Sequence, residues 1–306
     1  MNDEPSRQRA LDAYHVLDSL PDPVYDDIAR LASAICGTPT ALVSLIDGDR
    51  QWFKARVGFN APQTPRAHAV CDHAIRTPDR LFEVTDLSLD PRFSAFPFVA
   101  NGTARFYAGM PLVTGDGAAL GTVCVIDQRP RELDDTQRDA LRALSRLTMH
   151  VLDSRARERL AANEAFVAAA APTPGTGTDD DARYLLALLQ VDGHADLVQR
   201  IGERGAEKLL LDLEDTIGRV FEHPDDAVTR SSGSAEYVLV LHGADARERF
   251  ARILAEATAS TAMQGLRLQH GLAEGGADTA VAALVQHADD DLLDRRAAGR
   301  GHDDRG

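Results

Sequence analysis

Residues 230–241 read RSSGSAEYVLVL. Two strand-like runs meet at a Ser/Gly cluster, which is a hairpin signal. The middle of it, Gly233-Ser234-Ala235-Glu236-Tyr237, lies at a turn, where enzymes often place reacting groups. A second chemical grouping lies in PRAHAVCDHAI, residues 65–75. His68 and Cys71 are three apart and share a face if the segment is helical, whereas Cys71 and His73 are two apart and do not. Two ligands do not complete a metal site. A buried thiol beside hydrogen-bonded imidazoles is the structural alternative.

The elements that position these groups follow from pattern. The predicted helices are Pro5–Leu17, with Asp3 as cap, and Val24–Cys36, stopped by Gly37. TALVSLIDGDRQWFKARVG gives two strands across an Asp47-Gly48-Asp49 turn. A helix near 66–76 and the strand-like runs RLFEV, RFYAGMPLV and GTVCVIDQ come next. Ala140, Leu141, Leu144, Leu147 and Val151 then mark one long helix from about Asp134 to Ala170. That helix is expected either to pack on its own domain or to pair with a second copy of the chain.

The stretch AAAAPTPGTGTDDD ends the helix, and a flexible linker is expected over 171–181. Beyond it, RYLLALLQVD opens a second domain. A helix pair to about Phe221, strands AVTRS and YVLVLHG, helix 244–258, strand LRLQHGLAEG and helix 277–298 follow. The expected fold class is therefore two-domain. An antiparallel α+β domain with flanking helices precedes an α/β-type domain with a central sheet and helices on one or both faces.

Composition narrows the function. The 306 residues carry a formal charge of −15, from 33 Lys and Arg against 48 Asp and Glu. Such an acidic chain disfavours nucleic acid and anionic membrane as partners. No apolar run reaches the eighteen or so residues of a membrane helix, and the first residues lack a secretory h-region. Cys36, Cys71 and Cys124 are too few and too scattered for a disulfide framework. A cytoplasmic location is expected.

The motifs ALVSLIDGDRQWFKARVG, PRAHAVCDHAI, FYAGMPL and LGTVCVIDQRPREL together resemble a GAF domain, over residues 4–155. The resemblance implies a five- or six-stranded antiparallel sheet with a small-molecule pocket on one face. It does not name the ligand. The pocket candidates are Trp52, Arg66, Cys71, His73 and Tyr107, with core packing as the alternative for Trp52 and Tyr107 and a carboxylate partner for Arg66. Cys124 is expected in the core. In bilin-binding relatives the attachment Cys is followed directly by His; here Asp72 intervenes, and a bilin is set aside. A redox or metal sensor built on Cys71 with His68 or His73 is a further alternative.

Residues 182–301 resemble the GGDEF domain, the diguanylate cyclase fold, through LLQVDGHADLVQRIGERGAEKLL, GSAEYVLVL, LQHGLAE and LVQHADDDLLDRRAAGRG. Active members condense two GTP into cyclic di-GMP with two metal ions held by carboxylates. The resemblance puts Gln190 at one metal-ligand position and Ala235 at the other; neither is a carboxylate. Glu236 remains. Ser234 follows Gly233 where a second glycine belongs. Val198 and Glu207 stand at the guanine contacts, and Arg296 at a phosphate-binding Lys. His223 and Asp226 stand where an Arg-x-x-Asp inhibitory motif lies, and His cannot form the Arg fork. The implied reading is a degenerate, noncatalytic domain that binds nucleotide or protein, or dimerises. The alternative is an active cyclase using Glu236 and Asp192, with GTP and Mg²⁺. No metal or cofactor is expected with certainty. The expected partners are a small molecule at the GAF domain, a second copy through helix 134–170, and another signalling protein.

Overall fold

The computed structural model describes residues 3–172, 183–230 and 235–303. The chain forms two compact units: Met1–Leu17 with Pro21–Arg155, and Asp18–Leu20 with Ala156–Gly306. Among the described residues no helix is long and apolar enough to cross a membrane.

The first unit begins with α1 (Glu4–Asp12), capped by the Asp3 carboxylate, which accepts from the Ser6 amide. Pro5–Leu17 was the expected helix. The chain leaves it early because His15 adopts φ +50°, a left-handed conformation that a helix cannot continue. Then comes α2 (Pro23–Cys36), capped by Asp22 and closed by Gly37 at φ +62°. The sheet strands are β1 (Thr40–Asp47), β2 (Arg50–Val57), β3 (Gln63–Pro65), β4 (Phe82–Val84), β5 (Phe106–Val113) and β6 (Ala119–Asp127). Short helices α3 (Val70–Ala74) and α4 (Pro97–Ala100) interrupt them. The helix expected near 66–76 is thus a 3-10 turn over Arg66–His68 and the short α3. Strand order is β3-β2-β1-β6-β5-β4, with every paired neighbour antiparallel. This is the six-stranded sheet the motifs imply.

Alternation splits this unit's core into two. Leu45, Trp52, Phe106, Leu112, Val123 and Val125 face α2 and the first half of a long helix, α5 (Asp135–Ala170). Leu42, Ile46, Phe53, Tyr107 and Cys124 face the other way, under α3 and the loop with α4. In α5, Leu141 and Leu144 are buried on the unit's own sheet, and of the five-residue stripe only Leu147 is exposed. The expectation assigned α5 whole to the first domain; from Ala156 its packing belongs to the second unit. Val167 is fully buried there, with Leu160 and Phe166 beside it. Of the expected linker, residues 173–181 lie outside the described residues.

The second unit holds β7 (Arg183–Asp192), α6 (His194–Gly218), β8 (Ala227–Arg230), β9 (Glu236–His242), α7 (Ala246–Ala262), β10 (Arg267–Gly276) and α8 (Val281–Asp303). Gly202, at φ +77°, breaks α6 into the expected helix pair. The strand order β10-β7-β9-β8, antiparallel throughout, is that of a ferredoxin-like β-α-β-β-α-β unit with an added final helix. Both faces are covered. Leu185, Ala187, Leu189, Tyr237, Leu239 and Leu241 meet α6 and α7, while Leu186, Leu188, Val238 and Val240 meet α8 and the end of α5. A strand buried on both faces reads as an unbroken apolar run, which explains LLALL in β7.

Candidate functional site

In the first unit the sequence-predicted pocket residues do not converge as one group. Trp52 is 4% exposed and lies in the core on the α2 side of the sheet, the packing expected of so large a ring, while Cys71 and Tyr107 lie in the cluster on the other face. Arg66 is spent on carboxylates: its guanidinium donates to Asp72 at 2.7 Å and to Glu4 at 2.5 Å, and to the Gly48 carbonyl at 2.9 Å. His73 is half-buried, edge-on to Phe93 at 4.8 Å. His68 is exposed beside Phe96, and it shares no helix with Cys71.

Cys71 and Tyr107 do meet. They form a buried polar knot with Ser44, Gln51, Thr122 and Cys124. The Cys71 sulfur accepts from Gln51 Nε2 at 3.0 Å, Tyr107 OH at 3.2 Å and Thr122 Oγ1 at 3.2 Å, and it lies 3.8 Å from the Cys124 sulfur. Burial pushes the Cys71 thiol up, but hydrogen bonds from Cys124, Thr122 and Tyr107 outweigh it and leave Cys71 the more acidic of the two sulfurs. Cys124 is pushed up, first by its hydrogen bond to Cys71 and then by burial. Sequence reasoning placed Cys124 in the core and did not pair it with Cys71. Phe82, Phe93, Phe96 and Phe98 close over this face in a chain of edge-to-face contacts that runs on to Tyr107. A cavity of about 360 Å³ lies elsewhere, where Ile35 and Gly37 at the end of α2 meet Arg131 and Gln137.

In the second unit Gly233 and Ser234 lie outside the described residues. The other predicted positions are placed. Gln190 of β7 pairs across the ladder with Glu236 of β9, on the face covered by α8 and the end of α5. Glu236 is 2% exposed. Its carboxylate accepts from Arg159 at 3.1 Å and from Asn163 at 3.1 Å, and Arg159 also meets Asp289 at 3.3 Å. Ala235 is half-buried, and its carbonyl accepts from the Val191 amide at 2.9 Å. Asp192 pairs with Arg296 at 2.9 Å, and Glu207 pairs with Arg230. Val198 packs against the α6–α7 side of the core. Every charged group that the cyclase resemblance would aim at nucleotide, among the described residues, is engaged by an opposite charge of the same chain. The partner of Glu236 is the part sequence reasoning missed, because Arg159 lies in a helix read as belonging to the other domain.

Near this region His194, 2% exposed, opens α6, and His270 of β10 packs on Phe250 at 5.4 Å. Burial first, then Arg230 for His194 and Arg295 for His270, lowers both imidazole pKa values. The unfolded chain, with ordinary histidines near about 6.5, then binds more protons than the folded one just below that pH. Stability rises with pH wherever the unfolded state binds more protons, so it falls as pH drops through this window. The urea midpoint of the second unit will be lower at about pH 5.5 than at about pH 7.5, and His194→Asn will remove part of the difference. Equal pH dependence in the variant would refute the assignment to His194.

Residues 21–152 match the family model of the GAF domain. This stretch is a GAF domain. A cyclic di-GMP phosphodiesterase of Pseudomonas aeruginosa is 45% identical over 130 residues, which is 42% of this chain and 22% of that protein. The chain therefore aligns with about a fifth of that relative's length. Among solved structures, the GAF domain of an Acinetobacter phosphoenolpyruvate-protein phosphotransferase is similar at 13% identity and TM-score 0.37, covering 50% of this chain and 96% of that one. The GGDEF domain of DgcB from Caulobacter crescentus, in complex with c-di-GMP, is similar at 19% identity and TM-score 0.33, covering 39% and 74%.

Proposed function

We propose that the chain is a cytoplasmic signalling protein whose GAF domain takes a small ligand and whose second unit is a noncatalytic GGDEF-like module in cyclic di-GMP-related signalling. The module binds nucleotide or a partner protein, or it dimerises. The observation that carries the noncatalytic reading is the position of Glu236. Two-metal phosphoryl chemistry needs hard oxygen ligands with lone pairs turned to the ions. Glu236 is the one acid left in the hairpin motif, and its carboxylate is buried against Arg159 and Asn163. Asp192, the other acid an altered cyclase would use, is held by Arg296. Gln190 brings no charge, and Ala235 brings no ligand. The signalling context is supported by the Pseudomonas relative, whose name places a similar sequence in a protein acting on cyclic di-GMP.

The test is incubation of the purified full chain with GTP and Mg²⁺ or Mn²⁺, followed by chromatography. Product should stay at the level of a protein-free blank. Cyclic di-GMP above that blank, abolished by Glu236→Ala, would overturn the reading. Binding of GTP, cyclic di-GMP and cyclic nucleotides to the same protein, measured by calorimetry, then tests whether the module and the GAF domain keep ligand recognition.

A further inference from the structure

The end of the β8–β9 pair formed by the start of β8 and the end of β9 carries a grouping that the proposed function does not use. His223 lies in the loop after α6, Asp226 immediately precedes β8, and His242 is the last residue of β9. One ligating atom from each lies within 4.8 Å of the other two. We infer that His223, Asp226 and His242 form a binding site for one zinc-class divalent cation.

Four observations lead there. His242 is 2% exposed, and neither of its ring nitrogens has a hydrogen-bond partner. Buried imidazoles are ordinarily hydrogen-bonded or ligated, because an orphaned buried polar atom gives up its hydration with nothing in return. The second imidazole is close, with its ring centroid 5.3 Å from that of His242. The carboxylate between them is fixed. Asp226 Oδ1 accepts from the His242 amide at 2.9 Å, Oδ2 accepts from the His223 amide at 3.3 Å, and Arg249 Nε lies 3.2 Å from Oδ2. A ligating carboxylate that is itself hydrogen-bonded is the usual outer-shell arrangement of metal sites.

Charge is the fourth observation. Arg249 is a fixed cation beside the site, and alone it would oppose a metal. It also pairs with Asp245, and Asp225 lies 3.9 Å from His223 Nδ1. Arg249 is paired with Asp226 and Asp245, and Asp225 adds a third carboxylate on the His223 side, so these four groups carry a net charge near −2, which a divalent cation balances.

Two imidazoles and one carboxylate suit zinc and its neighbours better than Mg²⁺ or Ca²⁺, which prefer all-oxygen shells. Tetrahedral bonds of about 2.0–2.1 Å place ligand atoms about 3.3 Å apart. The 4.8 Å spread must therefore contract. His223 can supply the movement, since its side chain is 29% exposed and stands on a loop. That same exposed side leaves the fourth position open to water.

The test uses the tag-free purified chain, stripped with EDTA and dialysed, then titrated with zinc against a chromophoric indicator and with Co²⁺ in the visible range. One equivalent of zinc should bind, and Co²⁺ should show the intense absorption of a tetrahedral site. His223→Ala and His242→Phe should each weaken zinc at least tenfold, with the far-UV spectrum of His223→Ala unchanged. Absence of a stoichiometric zinc site in the wild type, or unchanged affinity in a folded His223→Ala chain, would overturn the assignment. Neither outcome depends on whether the protein makes cyclic di-GMP.

Discussion

Arg159→Ala will destabilise the second unit by roughly 3–5 kcal/mol, the usual cost of removing one partner from a buried ion pair. The substitution leaves two carboxylates, Glu236 at 2% and Asp289 at 10% side-chain exposure, without the cation between them. Water cannot reach them well enough to replace it, and their mutual repulsion adds to the desolvation cost. Glu236→Ala will cost less, because Arg159 keeps Asp289 at 3.3 Å. The double variant Arg159→Met with Glu236→Leu will recover part of the loss, since an apolar pair of similar volume often replaces a buried ion pair without penalty. Urea unfolding of the four proteins, followed by circular dichroism, compares the three losses with the wild type. An Arg159→Ala chain that unfolds at the wild-type urea concentration would show that the cluster is not formed.

Gly271→Ala is the second large effect. A Cβ at Gly271 would lie 2.0 Å from the Ala288 carbonyl oxygen and 2.5 Å from the Leu292 amide nitrogen. Both are backbone atoms of α8, so no rotamer change relieves the clash. Either α8 lifts from β10 or the strand bends. Both movements strain the bond from the Leu272 amide to Asp291 Oδ2, now 2.8 Å. Overpacking of this kind costs typically about 1–3 kcal/mol, which in a unit of this size lowers the melting temperature by about 2–4 °C per kcal/mol. The expected drop in a thermal melt is therefore about 2–12 °C. An unchanged melt would refute the close approach of α8.

Much of this architecture was legible because local rules and tertiary packing agree. DGD between two apolar runs gives the β1–β2 hairpin, Asp22 and Gly37 bound α2, and LLALL marks a strand covered on both faces. What escaped depends on distant parts of the chain. The β1–β2 ladder is one case. The register slips between Val43 and Ser44, so that Ser44 pairs with Phe53 and Leu45 with Trp52. Lys54 is the extra residue, and beyond it the ladder resumes with Val43 opposite Ala55. Nothing in QWFKARV announces the extra residue. The three-residue β3 is too short for a periodicity to register. The Glu236 partner, Arg159, is 77 residues away, and its helix begins in the other unit's core.

The cluster of rings over Cys71 has a further consequence. Cys71 and Tyr107 are 2% and 1% exposed, so a molecule reaches the polar knot only once covering side chains of this cluster, such as Phe93, have parted. Its measured dissociation constant is then the intrinsic value divided by the fraction of chains already parted. With about one chain in a hundred open, binding would read about a hundredfold weaker than the contacts themselves warrant. Affinity at this face is therefore adjustable by residues that never touch the ligand, since any substitution that loosens the rings raises the open fraction.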